Sequence, residues 1–513
     1  MADSVTEQLE HLRSLLSKSE VILPSSELYE SHTSTWAAQK NLYPRLVVRP
    51  SSTQSLSKVL RYLSNTDLDM AVRSSGYGSA SARDVVINME SFDEFDYDKE
   101  NEVLTLGAGQ LWRDYYNKME REAPDHHVIA ARTPALGIGG SILSAGFSWL
   151  ARQYGNTSDP DNMLDAEVVK MDGTVLWASH EPDLLWALRG AGASFCVVTR
   201  FKLRAYSVPQ DIYAGPIIIP RRQLPLVVRG IAAMNALSET TLAPQVSMDL
   251  YVVRKEQAAH MGATEDLFIL QAFDSLGEEH GRSEEGFKWA LAIPGAVDMT
   301  KVTNLRGVSQ MHGTYGNRER EEKANITPPP GVLFWGGGTI TEQVTSLKGR
   351  FKTYWQPLTV TTLTEKTILN AVSWLDRVGA ASGGAIANSA QLVFECLCTR
   401  DSASGPSGSA WPRPKGMKNT IICAAGCDAD AAGKGTEEEH DNDDDGLAAA
   451  RRLCLDAPVM ILGQQEGGEP VRYAPNALEE YHDLKDVSIC RTFRPRFIHH
   501  HTPPPVPKAS SNR

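Results

Sequence analysis

Short apolar runs alternate with helical spacing near the start of the chain. The pattern predicts a helix over 5–17, a strand over 46–48, a helix over 55–63 and a strand over 70–72. A strand, a capped helix and a second strand form the unit of an α/β layer. We therefore expect such a layer near the N-terminus.

The order of elements changes after about residue 206. Apolar runs predict strands at 217–219, 248–253, 267–272, 333–335 and 391–395, and helical spacing predicts helices over 225–237 and 365–378. This order favours an antiparallel sheet with helices on one face. The predicted fold class is α+β, and the length of 513 residues allows two or more domains.

Three turns rich in small residues adjoin predicted strands. The first reads Arg73-Ser74-Ser75-Gly76-Tyr77-Gly78, the second runs from Thr133 to Ser148, and the third from Gly190 to Phe195. Backbone N–H groups and hydroxyls in such turns can surround a pyrophosphate, and Arg73 would balance its charge. Each turn taken alone could instead be a tight turn that closes onto a packed helix. Together, the three turns indicate one large, flat, phosphorylated ligand.

Composition and charge exclude several classes of partner. The net charge of −12 comes without a basic stripe, which argues against nucleic acid. Residues 1–19 lack the apolar core of a signal peptide, and no later run is long and apolar enough to cross a bilayer. We therefore expect an intracellular, cytoplasmic protein with no membrane partner. Seven cysteines, six of them in the last quarter, fit reduced thiols better than a disulfide framework.

Two stretches imitate motifs of other protein classes. Gly107-Ala108-Gly109 suggests a dinucleotide fingerprint, but its third small position is Trp112, which excludes a Rossmann site and a nicotinamide-dependent reductase. Residues 441–446 imitate the start of a calcium loop, but Arg452 stands where a bidentate Glu is needed. We predict a solvated acidic loop over 431–450 and no metal site.

Five motifs follow one another in a fixed order: Arg73-Ser-Ser-Gly-Tyr-Gly, Gly107-Ala-Gly, Leu136-Gly-Ile-Gly-Gly, Asp161-Asn-Met-Leu and Trp186-Ala-Leu-Arg-Gly. In this order they resemble the flavin-binding half of the berberine-bridge-enzyme-like, FAD-linked oxidases. These enzymes belong to the PCMH-type, or vanillyl-alcohol-oxidase, flavoprotein superfamily. The resemblance covers about residues 40–205.

The resemblance implies a two-part PCMH-type FAD-binding domain and a substrate domain built on an antiparallel sheet covered by helices. We predict five segments along the chain. The first three are an N-terminal helical segment over 1–39, the FAD-binding domain over 40–206 and the substrate domain over 207–430. The acidic loop over 431–450 follows, and a C-terminal segment over 451–513 returns to the FAD domain. The last segment ends in an atypical tail containing His499, His500 and His501.

The resemblance also implies the cofactor-binding residues. Ser74, Ser75, Gly76 and Gly78 would wrap the FAD pyrophosphate, with Arg73 and Tyr77 in the same turn. In the second turn, Thr133, Gly137, Gly140 and Ser141 would border the flavin and the ribityl chain, beside Gly139. Val198 would lie near the adenine half.

Two departures from the family pattern concern the covalent flavin links. The His that carries the flavin in the family is Tyr77 here, and the Cys of the bicovalent members falls at Thr133. Neither side chain offers an imidazole or a thiolate. We therefore predict FAD bound without a covalent bond.

The implied function is an FAD-dependent oxidoreductase, an oxidase that uses molecular oxygen and takes a hydride from a small organic molecule of specialised metabolism. The segment Tyr473-Ala-Pro-Asn476 resembles the family segment near the catalytic base, so Tyr473 is the predicted base. The alternative is a flavin-free relative that acts as a binding protein.

Overall fold

The computed structural model describes residues 4–192, 194–238, 241–258, 263–313, 349, 351–381, 386, 390–396, 408–411, 418–428, 440–463 and 472–473. Within these residues the chain forms two sheets in its N-terminal part and a third, larger sheet in its C-terminal part. The predicted strands at 333–335 and the tail with His499 lie outside the described residues.

The N-terminal part contains ten strands and seven helices. The strands are β1 (Val21–Ile22), β2 (Leu46–Val48), β3 (Met70–Arg73), β4 (Val85–Asn88), β5 (Phe95–Asp98), β6 (Val103–Gly107), β7 (His126–Val128), β8 (Met163–Val169), β9 (Val175–Trp177) and β10 (Val197–Ser207). The helices are α1 (Val5–Ser14), α2 (Tyr29–Thr33), α3 (Thr53–Leu63), α4 (Trp112–Glu122), α5 (Ile138–Leu143), α6 (Ala151–Tyr154) and α7 (Pro182–Leu188).

The first sheet confirms the predicted α/β layer. Its strand order is β1-β2-β4-β3, and β4 pairs in parallel with both β2 and β3. Helix α3 connects β2 to β3; Ser52 caps its N-terminus, and its apolar face packs onto the sheet through Leu56, Val59 and Leu60. Because β3 and β4 run parallel, their carboxyl ends lie at the same edge of the sheet. Arg73 and Asn88 lie at this edge.

The second sheet is antiparallel and has the order β5-β6-β10-β8-β9, with β7 on the end of β10. The apolar core on this sheet includes Trp112 and Tyr115 of α4 and Ile138 and Ile142 of α5. Helix α5 is therefore anchored by its apolar side chains while its N-terminal glycines stay at the edge of the first sheet.

The described residues of the C-terminal part form nine strands and six α-helices. The strands are β11 (Ile212–Pro220), β12 (Val246–Val253), β13 (Leu267–Asp274), β14 (Val297–Asp298), β15 (Lys301–Thr303), β16 (Phe351–Val360), β17 (Gln391–Cys396), β18 (Asn419–Asp428) and β19 (Arg472–Tyr473). The helices are α8 (Leu224–Leu237), α9 (Glu278–Gly281), α10 (Lys288–Leu291), α11 (Leu305–Gly313), α12 (Glu365–Ala380) and α13 (His440–Leu462).

These nine strands form one antiparallel sheet with the order β14-β11-β13-β12-β17-β18-β16-β19, and β15 also pairs with β11. One face is apolar and packs under α8, α12 and α13, with Leu250, Leu270 and Phe394 in its core. This arrangement confirms the predicted α+β fold class and the helices on one face.

The opposite face of this sheet turns toward the N-terminal part. Ser247, Asp249 and Tyr251 alternate along β12 with the core residues, so their side chains share this face. The Ser247 hydroxyl donates to the Trp149 carbonyl at 3.1 Å, and the Trp149 ring stacks on Phe273 at 5.7 Å between centroids. The polar face of the sheet therefore lies against the predicted FAD-binding part.

One predicted loop is wrong in its C-terminal half. Residues from His440 onward belong to helix α13 rather than to an acidic loop. The predicted boundary near 450 therefore falls inside a helix that packs on the sheet through Ala450, Cys454 and Ala457. The helix also removes the loop geometry that a calcium site at 441–446 would need.

Candidate functional site

The turn after β3 is shaped around the Arg73 side chain. Gly76 has φ of +74°, and a Cβ there would lie 2.0 Å from Arg73 Nη1. Only glycine adopts this backbone conformation freely and leaves that space open. The turn thus folds directly over a guanidinium that is only 2% exposed.

The Arg73 guanidinium has spare hydrogen-bonding capacity. Nη2 makes long contacts of 3.5 Å with the carbonyls of Ser31 and Ser75, and the buried Nη1 has no hydrogen-bond partner among the described residues. Burial lowers the pKa of Arg73 to about 10, against the opposing effect of Glu90, so the group remains a cation at neutral pH. A buried cation with an unused N–H suits an anionic ligand such as a phosphate.

Hydrogen bonds connect the Arg73 turn to the small-residue turn before α5. The Gly137 N–H donates to Ser75 Oγ at 2.9 Å, and Ser74 Oγ donates to the Ala108 carbonyl at 3.0 Å. The Gly139 N–H donates to the same carbonyl at 3.0 Å. The structure therefore brings together three of the five motifs that the sequence resemblance singled out.

Gly140 and Gly78 leave open space beside this junction. A Cβ on either glycine would meet no protein atom within 4 Å, and both residues are exposed. By contrast, a Cβ on Gly137 would lie 2.3 Å from Ser74 Oγ. Gly137 is therefore required by the protein's own packing, whereas Gly140 and Gly78 line a surface that a ligand can approach.

The remaining predicted cofactor residues differ in how available they are. The Ser141 hydroxyl accepts a hydrogen bond from Trp112 Nε1 at 2.7 Å and donates to the Gly137 carbonyl at 2.9 Å, so it already holds the start of α5 in place. Val198 is 4% exposed in the core of the second sheet. The contacts of Ser141 and Val198 with FAD stay predictions.

A cleft of about 610 Å³ opens beside the Arg73 turn. Three predicted cofactor residues, Arg73, Ser74 and Ser75, line this cleft. Its walls also carry the basic groups of Lys118 and Arg121 and the acidic groups of Glu90, Asp93 and Asp114.

Tyr77 and Thr133 are the positions at which the sequence resemblance predicts the covalent flavin links of the family. The Tyr77 ring stacks on Trp36 at 4.7 Å between centroids, and burial raises the pKa of Tyr77 to about 12. Tyr77 is therefore a neutral phenol at physiological pH. Thr133 is partly buried and directly follows Arg132.

Arg132, Asp249 and Glu395 form a buried charged group that the sequence motifs do not reveal. We call this group the Arg132 cluster. Arg132 Nη1 donates to both oxygens of Asp249 at 2.5 and 2.7 Å, and Nη2 donates to Glu395 Oε1. The Arg132 guanidinium also lies over the Trp149 ring, 5.4 Å from its centroid. A charged group next to Thr133 thus joins the N-terminal part to the polar face of the large sheet.

Burial has an uneven effect on this cluster. The side chain of Asp249 is 2% exposed and that of Glu395 is 14% exposed. Burial raises the pKa of Asp249 to about 7, partly offset by Arg132 and reinforced by Glu395. Nearby Tyr251 has its pKa raised well above the ordinary value by burial, with a further contribution from Asp249. Asp249, and not the phenol of Tyr251, therefore exchanges a proton near neutral pH.

The sequence did contain a signal for the Arg132 cluster. Asp249 and Glu395 are single acidic residues inside apolar strands, and they are direct cross-strand partners. Two acids at alternating, otherwise apolar positions indicate a polar sheet face, but only the pairing shows that they meet.

Tyr473, the predicted base, lies in β19 opposite Leu358. The role of Tyr473 as a base stays a prediction.

Comparisons with known proteins agree with this geometry. Residues 44–179 match the FAD-binding domain family. (R)-6-hydroxynicotine oxidase of Paenarthrobacter nicotinovorans is 28% identical over 204 residues, which are 38% of this chain and 43% of that protein. The FAD-linked oxidoreductase pgmH of Aspergillus terreus is 31% identical over 209 residues, 39% of this chain and 42% of that protein. The chain thus spans less than half the length of these two curated relatives.

Solved structures extend the likeness to the whole fold. Wild-type Physcomitrella patens BBE-like 1 has a TM-score of 0.70 at 15% identity, with 95% of this chain and 93% of that chain covered. Chitooligosaccharide oxidase has a TM-score of 0.70 at 14% identity, with 94% and 92% covered. At these identities the likeness concerns the fold.

The fold and the turn around Arg73 define an FAD-binding protein of two domains. Residues 44–179 belong to the FAD-binding domain family, and the fold of the chain is similar to that of the solved BBE-like and chitooligosaccharide oxidase structures. FAD is the cofactor of its N-terminal domain. The unpaired Arg73 Nη1 and the open sides of Gly78 and Gly140 fit this anionic cofactor.

Within the described residues, no helix combines the length and the apolar character that crossing a bilayer requires.

Proposed function

We propose that this protein is an FAD-dependent oxidase that takes a hydride from a small organic substrate and passes the electrons to molecular oxygen. The observation that carries the proposal is the Arg132 cluster beside Thr133. It places groups able to exchange protons between the FAD-binding domain and the polar face of the large sheet. Substrate oxidation needs such groups next to the hydride acceptor.

Bound FAD would supply hydride acceptance, and the chain's own residues would supply binding, orientation and exclusion of water. Arg73, Ser74 and Ser75 would hold the pyrophosphate, and the open side of Gly140 would let the flavin and the ribityl chain approach the backbone closely. The stacked pairs Tyr77–Trp36 and Trp149–Phe273 would help to exclude water.

Names of relatives support the reaction class. One curated relative is named an oxidase of hydroxynicotine, and others from fungi are named FAD-dependent monooxygenases, such as tpcD of Cochliobolus heterostrophus. A small specialised metabolite is therefore the substrate class we propose, with oxygen as the second substrate.

The test of this function uses purified protein incubated with FAD and freed of unbound flavin. Oxygen consumption and peroxide formation are measured with a panel of small alcohols and secondary amines. We expect peroxide formation with at least one member of the panel and none without FAD. Protein that holds FAD but leaves oxygen untouched across the panel would contradict the oxidase assignment.

Gly140→Val tests the proposed position of the cofactor. Because a Cβ there contacts no protein atom within 4 Å, the variant should fold while its side chain fills the space we assign to FAD. We expect unchanged thermal stability of the FAD-free protein and no yellow colour after FAD loading. Full FAD loading by this variant would place the cofactor elsewhere.

We further propose that FAD is held without a covalent bond, because Tyr77 is a neutral, stacked phenol and Thr133 is a hydroxyl side chain. Acid precipitation of the loaded protein should leave the yellow colour in the supernatant. Yellow colour retained in the washed pellet would show a covalent link. Tyr77→His tests whether the tether position can be restored, with colour expected in the pellet of that variant.

A further inference from the structure

A short piece of the C-terminal part docks on the FAD-binding domain. Residues 408–411, which we call the strap, lie in the connection between β17 and β18 of the large sheet. The strap contacts the end of α7 and the turn that follows it, Gly190 to Phe195. This turn is the third of the small-residue turns. No local pattern in the sequence indicates that another part of the chain covers it.

The strap supplies hydrogen-bond donors at the end of α7. The Arg189 carbonyl accepts hydrogen bonds from Ser409 Oγ at 2.8 Å, from the Ala410 N–H at 3.0 Å and from the Trp411 N–H at 3.1 Å. Carbonyls at the C-terminus of a helix have no partner within the helix, so another segment can bond to them. Arg189 Nη1 in turn donates to the Gly408 carbonyl at 3.3 Å. Four hydrogen bonds thus join the strap to one residue, Arg189.

Trp411 packs closely against Gly190. Trp411 is 9% exposed, and its ring meets the Phe147 ring edge-on, with 5.8 Å between centroids. Gly190 has φ of +107°, and a Cβ there would lie 2.6 Å from Trp411 Cβ. A side chain at position 190 would therefore displace the strap. Because Phe147 belongs to the second small-residue turn, Trp411 joins the second turn to the third.

Gly192 leaves space beside the same turn. Its φ is +85°, and a Cβ there would meet no atom of the described residues within 4 Å. Its N–H donates at 3.0 Å to the Leu143 carbonyl at the end of α5, the helix that contains Gly140. The third turn thus contacts the strap at one glycine and leaves room for a ligand at the other.

We propose that the strap is a clasp that controls the entry and release of FAD, with Trp411 as its positioning residue. The docked strap holds the second and third turns together, and it must leave Arg189 before a molecule as large as FAD passes between them. Tyr77 and Thr133 provide no tether in the proposed non-covalent site, so closure of the protein around FAD retains the cofactor. The inference rests on that attachment and is independent of the oxidase reaction.

Control of passage has a kinetic signature. Entry and release use the same opening, so a weaker strap accelerates both, and the dissociation constant, which is the ratio of the two rates, changes little. A segment that only shapes the bound site changes the release rate alone. Measuring both rates therefore distinguishes a clasp from a structural contact.

The first experiment measures both rates with purified protein. Association is followed by flavin fluorescence after rapid mixing of FAD-free protein with FAD, and release by exchange of isotopically labelled bound FAD against excess unlabelled FAD. We expect Trp411→Ala to raise both rates by about tenfold or more, because each rate follows the population of the open state. Trp411→Phe keeps an aromatic ring against Phe147 and should restore most of the difference.

Ser409→Ala carries the same test if Trp411→Ala does not fold. It removes one hydrogen bond to Arg189 and leaves the tryptophan in place, so both rates should rise by a smaller factor. Trp289→Ala is the matched control, because Trp289 packs on Gly230 of α8 within the C-terminal part. Both rates should be unchanged in the control. A rise in the release rate alone, or unchanged rates in every strap variant, would overturn the inference.

The second experiment observes the strap directly, by hydrogen exchange of the Ala410 and Trp411 amides in FAD-free protein. Both amides donate to the Arg189 carbonyl, so they exchange when the strap detaches. We expect faster exchange in Gly190→Ala, whose Cβ would meet Trp411. Exchange should be unchanged in Gly192→Ala, which has a similar positive φ but no such contact.

Two results of the second experiment would contradict the clasp. Equal exchange in Gly190→Ala and Gly192→Ala would show that backbone strain, and not contact with the strap, decides the outcome. Faster exchange in Gly190→Ala together with unchanged FAD association and release would show that the strap detaches without affecting the cofactor.

Discussion

Gly76 and Arg73 form the residue-scale foundation of the cofactor turn. The positive φ of Gly76 and the position of the guanidinium leave no room for a side chain. The same close contact keeps Arg73 buried with one N–H unused, which suits a phosphate. The positive charge of the turn is therefore carried by Arg73, a buried side chain whose position the surrounding backbone fixes.

Gly76→Ala should destabilise the FAD-free protein by about 1–3 kcal/mol, through backbone strain and the contact with Arg73. It should also weaken FAD binding by at least about tenfold, since a shift of about 1.4 kcal/mol suffices. Urea unfolding and fluorescence titration with FAD measure the two effects. Gly463→Ala is the control, because Gly463 has φ of +82° and a Cβ there meets nothing within 4 Å. Equal effects in both variants would show that contact with Arg73 is irrelevant.

His127 makes stability depend on pH. Its side chain is fully buried. Nδ1 shares a hydrogen bond of 3.2 Å with the Tyr115 hydroxyl, and Nε2 lies 3.1 Å from the Pro124 carbonyl oxygen, to which it donates. Burial lowers the pKa of His127 to about 4 from 6.5. The unfolded chain therefore binds the proton first as pH falls, and stability should drop between pH 6.5 and pH 4 by about 3 kcal/mol.

Urea unfolding at pH 7 and at pH 4.5 measures this drop, and His127→Gln should reduce it. A variant with the same acid sensitivity as the unmodified protein would assign the effect to other groups.

At the residue scale, the sequence predicted that the turn after β3 and the turn before α5 adjoin, which the structure shows, but it did not reveal the Arg132 cluster. Gly76 and Gly140 stand out because small residues next to a strand have few alternative uses. Arg132, Asp249 and Glu395 are separated by more than a hundred residues each, and their meeting depends on strand register, which no local pattern contains.

Helix α5 is the element on which the cofactor site depends. It has only six residues, and its beginning is fixed by contacts from other segments: Gly137 N–H to Ser75 and Trp112 to Ser141. A helix this short is not stable alone, so tertiary contacts decide its position.

Ser75→Ala should leave the buried Gly137 N–H without its acceptor. We expect a loss of about 1–3 kcal/mol in stability and weaker FAD binding, because the two cofactor turns separate. Ser64→Ala, at the exposed end of α3, is the control and should change neither quantity. Unchanged FAD affinity in Ser75→Ala would show that this hydrogen bond does not shape the site.

Elements with strong periodicity were predicted well. Helices α3, α8 and α12 and strands β12 and β17 lie where the spacing placed them, because each buries one apolar face. The acidic stretch from His440 was predicted as a loop because its charges hide the helical spacing. The helix forms because its later turns, from Ala450 to Ile461, pack on the sheet.

At the scale of the whole molecule, two arginines join the FAD-binding domain to the large sheet. Arg132 reaches Asp249 and Glu395. Arg152 of α6 donates to the carbonyls of Leu242 and Ala243 before β12 and of Val246 at its first position. The shortest of these contacts, to Ala243, is 2.5 Å. The sheet is thereby held against the FAD-binding domain.

Arg152→Ala should reduce stability by about 3 kcal/mol, because three carbonyls lose a charged donor. Calorimetry should show the two domains unfolding in separate steps, while FAD binding changes little. Arg113→Ala is the control, since Arg113 pairs only with the half-exposed Asp114 in the described contacts and such pairs contribute about 0–1 kcal/mol. A single unchanged transition in Arg152→Ala would show that Arg152 does not couple the domains.

The division into two domains was predictable because the pattern of strands and helices changes near residue 206. Their docking was not, since it rests on carbonyl contacts and on the polar face of a sheet. Substrate contacts on that face depend on the same docking, and the sequence alone could not predict them either.

The central claim is tested most directly by mixing FAD-loaded protein with an alcohol or amine in the absence of oxygen and following the flavin absorbance. We predict bleaching of the yellow colour, and its return with formation of peroxide when oxygen is admitted. Absorbance that stays unchanged across the whole panel, in protein fully loaded with FAD, would contradict the assignment of an FAD-dependent oxidase.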